Sequence, residues 1–184
     1  MCIHRRVRGM SNVPSINVRP LARGEGDLYR KLRLRALQSA PDAFGSTHEE
    51  EAAWPPSQFE DRVASGFIVG AFDGGQIIGM AGFYQQSGSK QCHKGVLWGM
   101  YVDPRNRNSG AGRRLVQAVI DHATGIVDLL TLSVVEGNAS AVALYAAMGF
   151  RVYGTEPRAL KSGGRYFAEV LMVRDLDLIS APRT

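Results

Sequence analysis

The sequence predicts an α/β domain in which helices and strands share one sheet. Two strand-like runs, 67–72 and 76–84, flank Asp73-Gly74-Gly75, a strong hairpin signal. Before them apolar residues recur at helical spacing; after them short strands alternate with amphipathic helices. The 184 residues fit one such domain and leave little room for a second.

Residues 1–14 read as a disordered leader ending at Pro14, with Met10 an alternative start. A single domain then covers 15–178, and 179–184 is a tail. Residues 16–20 alternate like a short strand that Pro20 closes. Over 26–40, Leu28, Leu32, Leu34, Ala36 and Leu37 fall among Arg and Lys, an amphipathic helix stopped by Pro41. A second helix precedes Trp54-Pro55-Pro56, and a third, short one covers 56–64. Beyond the hairpin, 88–90 form a polar turn, and 95–102 make a strand ended by Asp103-Pro104. A helix over 112–123 gathers Leu115, Val116, Val119 and Ile120 on one face. Residues 127–135 read as a buried strand, and 138–148 as an alanine-rich helix ending at Gly149. Strands at 150–155 and 165–173 close the domain.

Composition excludes several functions. With 45% apolar and 21% charged residues the balance is that of a globular chain. No apolar run approaches the roughly 18–20 residues that cross a bilayer, so no membrane span is expected. Arg5, Arg6 and Arg8 are followed by no apolar stretch, unlike a secretory signal. Cys2 and Cys92 are too few for a disulfide framework and wrongly spaced for zinc, so no metal is expected and the cytoplasm is the default location. The net charge of +5 comes from Arg5, Arg6, Arg8, Arg19 and Arg23; from 24 onward basic and acidic residues balance. A nucleic-acid surface needs a basic cluster in the folded body, so no nucleic-acid partner is expected.

The segment Met100-Tyr101-Val102-Asp103-Pro104-Arg105-Asn106-Arg107-Asn108-Ser109-Gly110-Ala111-Gly112-Arg113-Arg114-Leu115 carries the chemistry. It reads as strand, Pro turn, glycine-containing loop and helix. A helix start presents unpaired N–H groups and a positive dipole end, and glycines let a phosphate come close to backbone. Arg107, Arg113 and Arg114 add side-chain charge. Two common nucleotide readings fail on spacing. A dinucleotide fingerprint needs glycine where Leu115 stands, and the Gly-Lys-Ser/Thr of a P-loop is absent.

Arg107-Asn108-Ser109-Gly110-Ala111-Gly112 resembles the Arg/Gln-x-x-Gly-x-Gly/Ala signature of the GNAT N-acetyltransferase superfamily. The stretch from Asn138 to Phe150 is similar to that family's Asn-x-x-Ala-x-x-Leu-Tyr-x-x-x-Gly-Phe. The two motifs stand in the family's order, separated by one helix and one strand. The resemblance implies a mixed central sheet flanked by helices and splayed near the cofactor-binding strand. It implies acetyl-CoA as acyl-donor co-substrate and direct acetyl transfer to a primary amine, on a small molecule or a protein. By the same resemblance, Asn108, Ser109, Gly110, Ala111, Gly112 and Arg113, with Arg107, hold the pyrophosphate. Met100, Tyr101 and Val102 supply the strand that pairs with the pantetheine arm, and Asn138 touches the cofactor while capping its helix. Tyr145 falls where the family places the tyrosine that protonates or hydrogen-bonds the sulfur. Homodimers are common in the family. A non-catalytic acyl-CoA-binding module on the same fold, and transfer of a longer acyl group or to oxygen, remain open alternatives.

A general base is harder to find. The strand at 95–102 has no acid, and the position five before Asn138 is Ser133. Glu136, His93 and an ordered water are the remaining candidates. For the acceptor pocket, 44–51 and Trp54 are expected, because Glu49-Glu50-Glu51 would attract a cationic amine unless they are simply a solvated helix face. The segment 158–165, with Gly163-Gly164 at its turn, is expected as a lip or as an ordinary hairpin tip.

Overall fold

A computed structural model describes residues 16–176; the expected leader at 1–14 and tail at 179–184 lie outside the described residues. The elements run β1 (Asn17–Pro20), α1 (Gly26–Ser39), α2 (His48–Ala52), α3 (Pro56–Ser65), β2 (Phe67–Asp73) and β3 (Gln76–Gln85). Then come β4 (Lys94–Val102), α4 (Ala111–Ala123), β5 (Leu129–Val135), α5 (Ala139–Ala147), β6 (Arg151–Ser162) and β7 (Arg165–Asp175). Short 3-10 turns at Pro41–Ala43 and Pro104–Asn106 follow the two prolines read as breaks. The strands form one sheet in the order β1-β2-β3-β4-β5-β7-β6. Every pairing is antiparallel except β4 with β5.

Both sheet faces are covered, as an α/β sheet requires. On one face α4 presses Leu115, Val116, Val119 and Ile120 onto Val69, Ala81, Leu97 and Leu130. On the other, α1 and α3 supply Tyr29, Leu32, Ala36, Phe59 and Val63 against Ile68, Met80 and Tyr101. The hairpin joining β2 to β3 turns at Gly74 and Gly75, with φ of +55° and +86°, the geometry the Asp-Gly-Gly signal predicts. Among the described residues no helix is long and apolar enough to cross a membrane.

Two irregularities position the site. Gly82 pairs with Trp98 but Met80 pairs with Tyr101, so β4 carries one residue more than β3 across that interval. Gly99 there has φ of +63°, within a bulge that reverses which face successive side chains take. Leu97 faces the α4 core, yet beyond the bulge Tyr101 faces α1 and α3, with Met100 and Val102 toward α4. The second irregularity is a separation. β4 and β5 pair only at Lys94–Leu129, Gly95–Leu130 and Val96–Thr131. From Leu97 and Leu132 onward they diverge, while β5 stays paired with β7 along its whole length.

One strand is longer than expected. The sequence places its end at Thr155, but β6 continues through Pro157 to Ser162. The register shifts between Glu156 and Leu160, where Arg158 has φ of +56°, and pairing resumes at Leu160–Phe167. A bulge lets the strand pass a residue that cannot donate to the ladder.

Candidate active site

A cleft of about 570 Å³ fills the gap between β4 and β5. One wall is β4 from Leu97 to Val102 and the other is Ser133, Val134 and Val135 of β5. Ser140, Ala141, Leu144 and Tyr145 of α5, with Asn138 before it, contribute a further side. Ala40, Ala43 and Phe44, after α1, line it as well.

The loop into α4 lines the cleft through Asn106, Arg107, Asn108, Gly110, Gly112 and Arg113. Gly110 is the N-cap, at φ of +85° with no side-chain cap, and Asn108 is also left-handed at +61°. The first N–H groups of α4 lack the helical partners that later residues have, and the dipole adds positive charge. Gly112 is tight: a Cβ there would stand 3.3 Å from Leu144 and 3.4 Å from Met100. Ser109 and Ala111 are not among the lining residues. Ser109 donates its hydroxyl to the Asn106 carbonyl at 2.6 Å and Ala111 is buried in the core, so the backbone is what they offer. Arg114 turns away, donating to the Ile16 carbonyl, and is no candidate for phosphate. Asp103 anchors the loop entrance by accepting from the Arg105 backbone and side chain and from Arg35.

This is a layout with a family behind it. The sequence model described as the Acetyltransferase (GNAT) family matches residues 33–150. The chain belongs to the GNAT family. Among its relatives, the N-alpha-acetyltransferase RimI of Mycobacterium tuberculosis is 34% identical over 113 residues, 60% of this chain and 70% of that one. The L-methionine sulfoximine/L-methionine sulfone acetyltransferase of Pseudomonas aeruginosa is 25% identical over 122 residues, 65% of this chain and 71% of that one. The fold is similar to that of Salmonella typhimurium yncA, solved with its cofactor acetyl-CoA, at a TM-score of 0.74 and 19% identity over 92% of this chain and 99% of that one. The sequence expectation of an acetyl-CoA-dependent N-acetyltransferase is met, and with it the mixed sheet flanked by helices.

The cleft of this GNAT acetyltransferase fits its acyl donor on structural grounds. It joins an open strand edge to a helix N-terminus that two arginines flank, the pairing a long arm with a pyrophosphate needs. Tyr145 is 5% exposed, packs edge-on against Phe150 and still lines the cleft. Burial pushes its phenol well above the ordinary tyrosine range, so it keeps its proton. Asn138 caps α5, its Oδ1 accepting from the Ala141 N–H at 3.2 Å and from the Ser140 hydroxyl at 3.1 Å.

No lining residue is a carboxylate or an imidazole. Glu136 is exposed on the turn before α5, and His93 stands before β4 at its paired end; neither lines the cleft. The acidic run also departs from expectation. Glu50 completes a capping box with Thr47 at the start of α2. Glu51 is fully buried and bound by Arg33, and none of the three glutamates lines the cleft. Trp54 lies beneath Arg62 and outside the lining. The 158–165 segment is likewise outside it; its tip is a hairpin turn with Gly163 at +54° and Gly164 at +79°. Trp98 and Gly99 are lining residues the sequence reading missed, and no local signal marks the bulge at Gly99.

Proposed function

We propose that the chain acetylates a small-molecule primary amine by direct transfer, in one catalytic domain working in the cytoplasm, with the cleft between β4 and β5 as the site. The observation that carries this is the divergence of β4 from β5 where the α4 N-terminus opens into the same cleft. Acetyl-CoA, when bound, supplies an activated acetyl carbonyl and a thiol leaving group. The residues of this chain do the rest. The N–H groups at 111–113, with Arg107 and Arg113, hold the pyrophosphate, and the exposed edge of β4 from Met100 to Val102 pairs with the pantetheine amides.

The bulge leaves Met100 without a partner residue on β3, so its N–H serves the carbonyl oxygen as charge develops there. Tyr145 donates a hydrogen bond to the departing sulfur. A phenol whose pKa burial raises does not hand its proton to a thiolate whose parent acid lies near ~8.5. It stabilises the sulfur anion in place, and the proton that finally neutralises that anion comes from the acetylated amine through water. With no carboxylate or imidazole in the lining, the acceptor must arrive neutral or lose its proton to water. A small acceptor is favoured because one relative is named for acting on methionine sulfoximine and sulfone.

Calorimetric titration of acetyl-CoA, CoA and NAD, followed by thiol release with a panel of amines, tests the reading. Selective binding of the CoA compounds, lost in Gly110→Asp, with amine-dependent thiol release is expected. Absence of binding, or binding without release to any amine, overturns it.

A further inference from the structure

Behind the acceptor end of the cleft lies a buried charge cluster that acetyl transfer to a plain amine does not need. Arg33 is 4% exposed and Glu51 is fully buried. Arg33 gives its Nε and Nη2 to the two Glu51 oxygens, at 3.0 and 2.6 Å. Arg62 stands at 3.8 Å from the same carboxylate, too far for a hydrogen bond. It lies 4.4 Å from the centre of the Trp54 ring and 5.6 Å from that of Trp98. Two guanidiniums thus share one carboxylate, an excess of one positive charge. Arg33 Nη1, Arg62 Nη1 and Trp98 Nε1 are all buried without a hydrogen-bond partner. Buried donors in that state are costly, and a charged one more so.

The Arg33 donor stands just behind the cleft wall, though Arg33 and Arg62 are themselves outside the lining. At Gly99, on the cleft wall, a Cβ would find only Arg33 Nη1 within 4 Å, at 3.9 Å. Phe44, another lining residue, lies with its ring centre 4.8 Å from the same guanidinium. A group seated in the space beside Gly99 would therefore meet an unspent guanidinium N–H. Gly99 also adjoins Met100, where the reading above places the acetyl carbonyl.

We infer that Arg33 receives a carboxylate borne by the acceptor, so that the amine acetylated is that of a free amino acid. The inference rests on the acetyl-transfer reading of the cleft. One singly charged carboxylate cancels the excess charge and accepts the spare Arg33 N–H. A phosphate, with close to two negative charges, would overcompensate. A blocked peptide end or a simple amine would leave the donors as they are.

The test uses the full chain saturated with CoA. The common L-α-amino acids and L-methionine sulfone are titrated in by calorimetry, each beside its carboxamide and its decarboxylated amine. The expected result is at least one amino acid that binds about tenfold or more tightly than its two uncharged-end partners, the factor a lost charged hydrogen bond gives. In the acetylation assay Arg33→Lys raises the KM for that amino acid by about tenfold, the loss falling on KM rather than kcat. Arg33→Lys keeps a cation beside Glu51 while withdrawing Nη1, and thermal unfolding checks that the variant is folded. Equal binding of the carboxamide, or no amino acid bound, overturns the inference while leaving acetyl transfer intact. Failure of acetyl-CoA itself to bind overturns the acetyl-transfer reading instead.

Discussion

Arg33 and Glu51, 18 residues apart in the chain, face each other across α1 and α2 as a two-pronged ion pair hidden from water. Removing one partner strands a buried charge, whereas removing both does not. Arg33→Met should therefore destabilise the fold by about 3–5 kcal/mol, with Arg33→Met/Glu51→Met recovering most of that loss. Urea unfolding of both single variants and the double variant closes the cycle; additive losses would mean the pair is not coupled.

Tyr145→Phe keeps the ring against Phe150 and deletes only the hydroxyl. Its kcat should fall by about a hundredfold, the scale of one lost anion-stabilising donor, with acetyl-CoA affinity changed little. Steady-state kinetics beside calorimetry separates the two. Full activity in this variant would remove Tyr145 from the chemistry.

Gly110 and Gly125 sit at nearly the same φ, +85° and +82°, and neither has an atom within 4 Å of a Cβ position. Alanine at either should cost about 1–2 kcal/mol of backbone strain. Only Gly110→Ala should weaken acetyl-CoA, because only Gly110 shapes the start of α4 in the cleft. Equal loss of affinity in Gly125→Ala would assign the effect to general destabilisation.

The pH profile follows from what the lining lacks. With no carboxylate or imidazole there, kcat/KM should climb with unit slope through neutrality until the acceptor amine's own pKa. A plateau that begins near pH ~6.5, the ordinary histidine range, would mean that an imidazole serves as base.

Asp103 carries an acid-stability signature. The Arg105 guanidinium, helped by the Arg105 N–H and by Arg35, holds its carboxyl down at about 2. The unfolded value is about 3.9, so the unfolded chain binds the proton more readily. Its stabilising contribution is complete above that value and disappears as the pH falls toward 2. Asp103→Asn should lower stability at neutral pH and flatten the loss below pH ~4, measured by urea midpoints across that range.

Much of this was legible locally. The Asp73-Gly74-Gly75 turn, the α4 stripe and the Asn138 cap are encoded within a few residues of themselves, and the structure places them as expected. The loop at 107–113 was legible for the same reason: glycine and a helix start are local. What escaped depends on partners distant in sequence. Glu51 looks like one of three solvated acids until Arg33 is brought across to it. Gly99 looks like an ordinary strand glycine until β3 proves one residue short beside it. The run of β6 beyond Thr155 escaped because a bulge is a property of two strands together.

The parting of β4 from β5 makes two edge strands in the middle of a sheet. Edges invite other chains to pair with them, and sheet proteins normally guard such edges with charge, proline or a covering element. If acetyl-CoA pairs with the β4 edge as proposed above, the guard is a small molecule rather than a residue, and the fold is completed from outside. Cofactor supply and solubility are thereby tied together: starved of it, the protein should self-associate through this seam, and excess CoA in the purification buffer should keep it monodisperse by mass action.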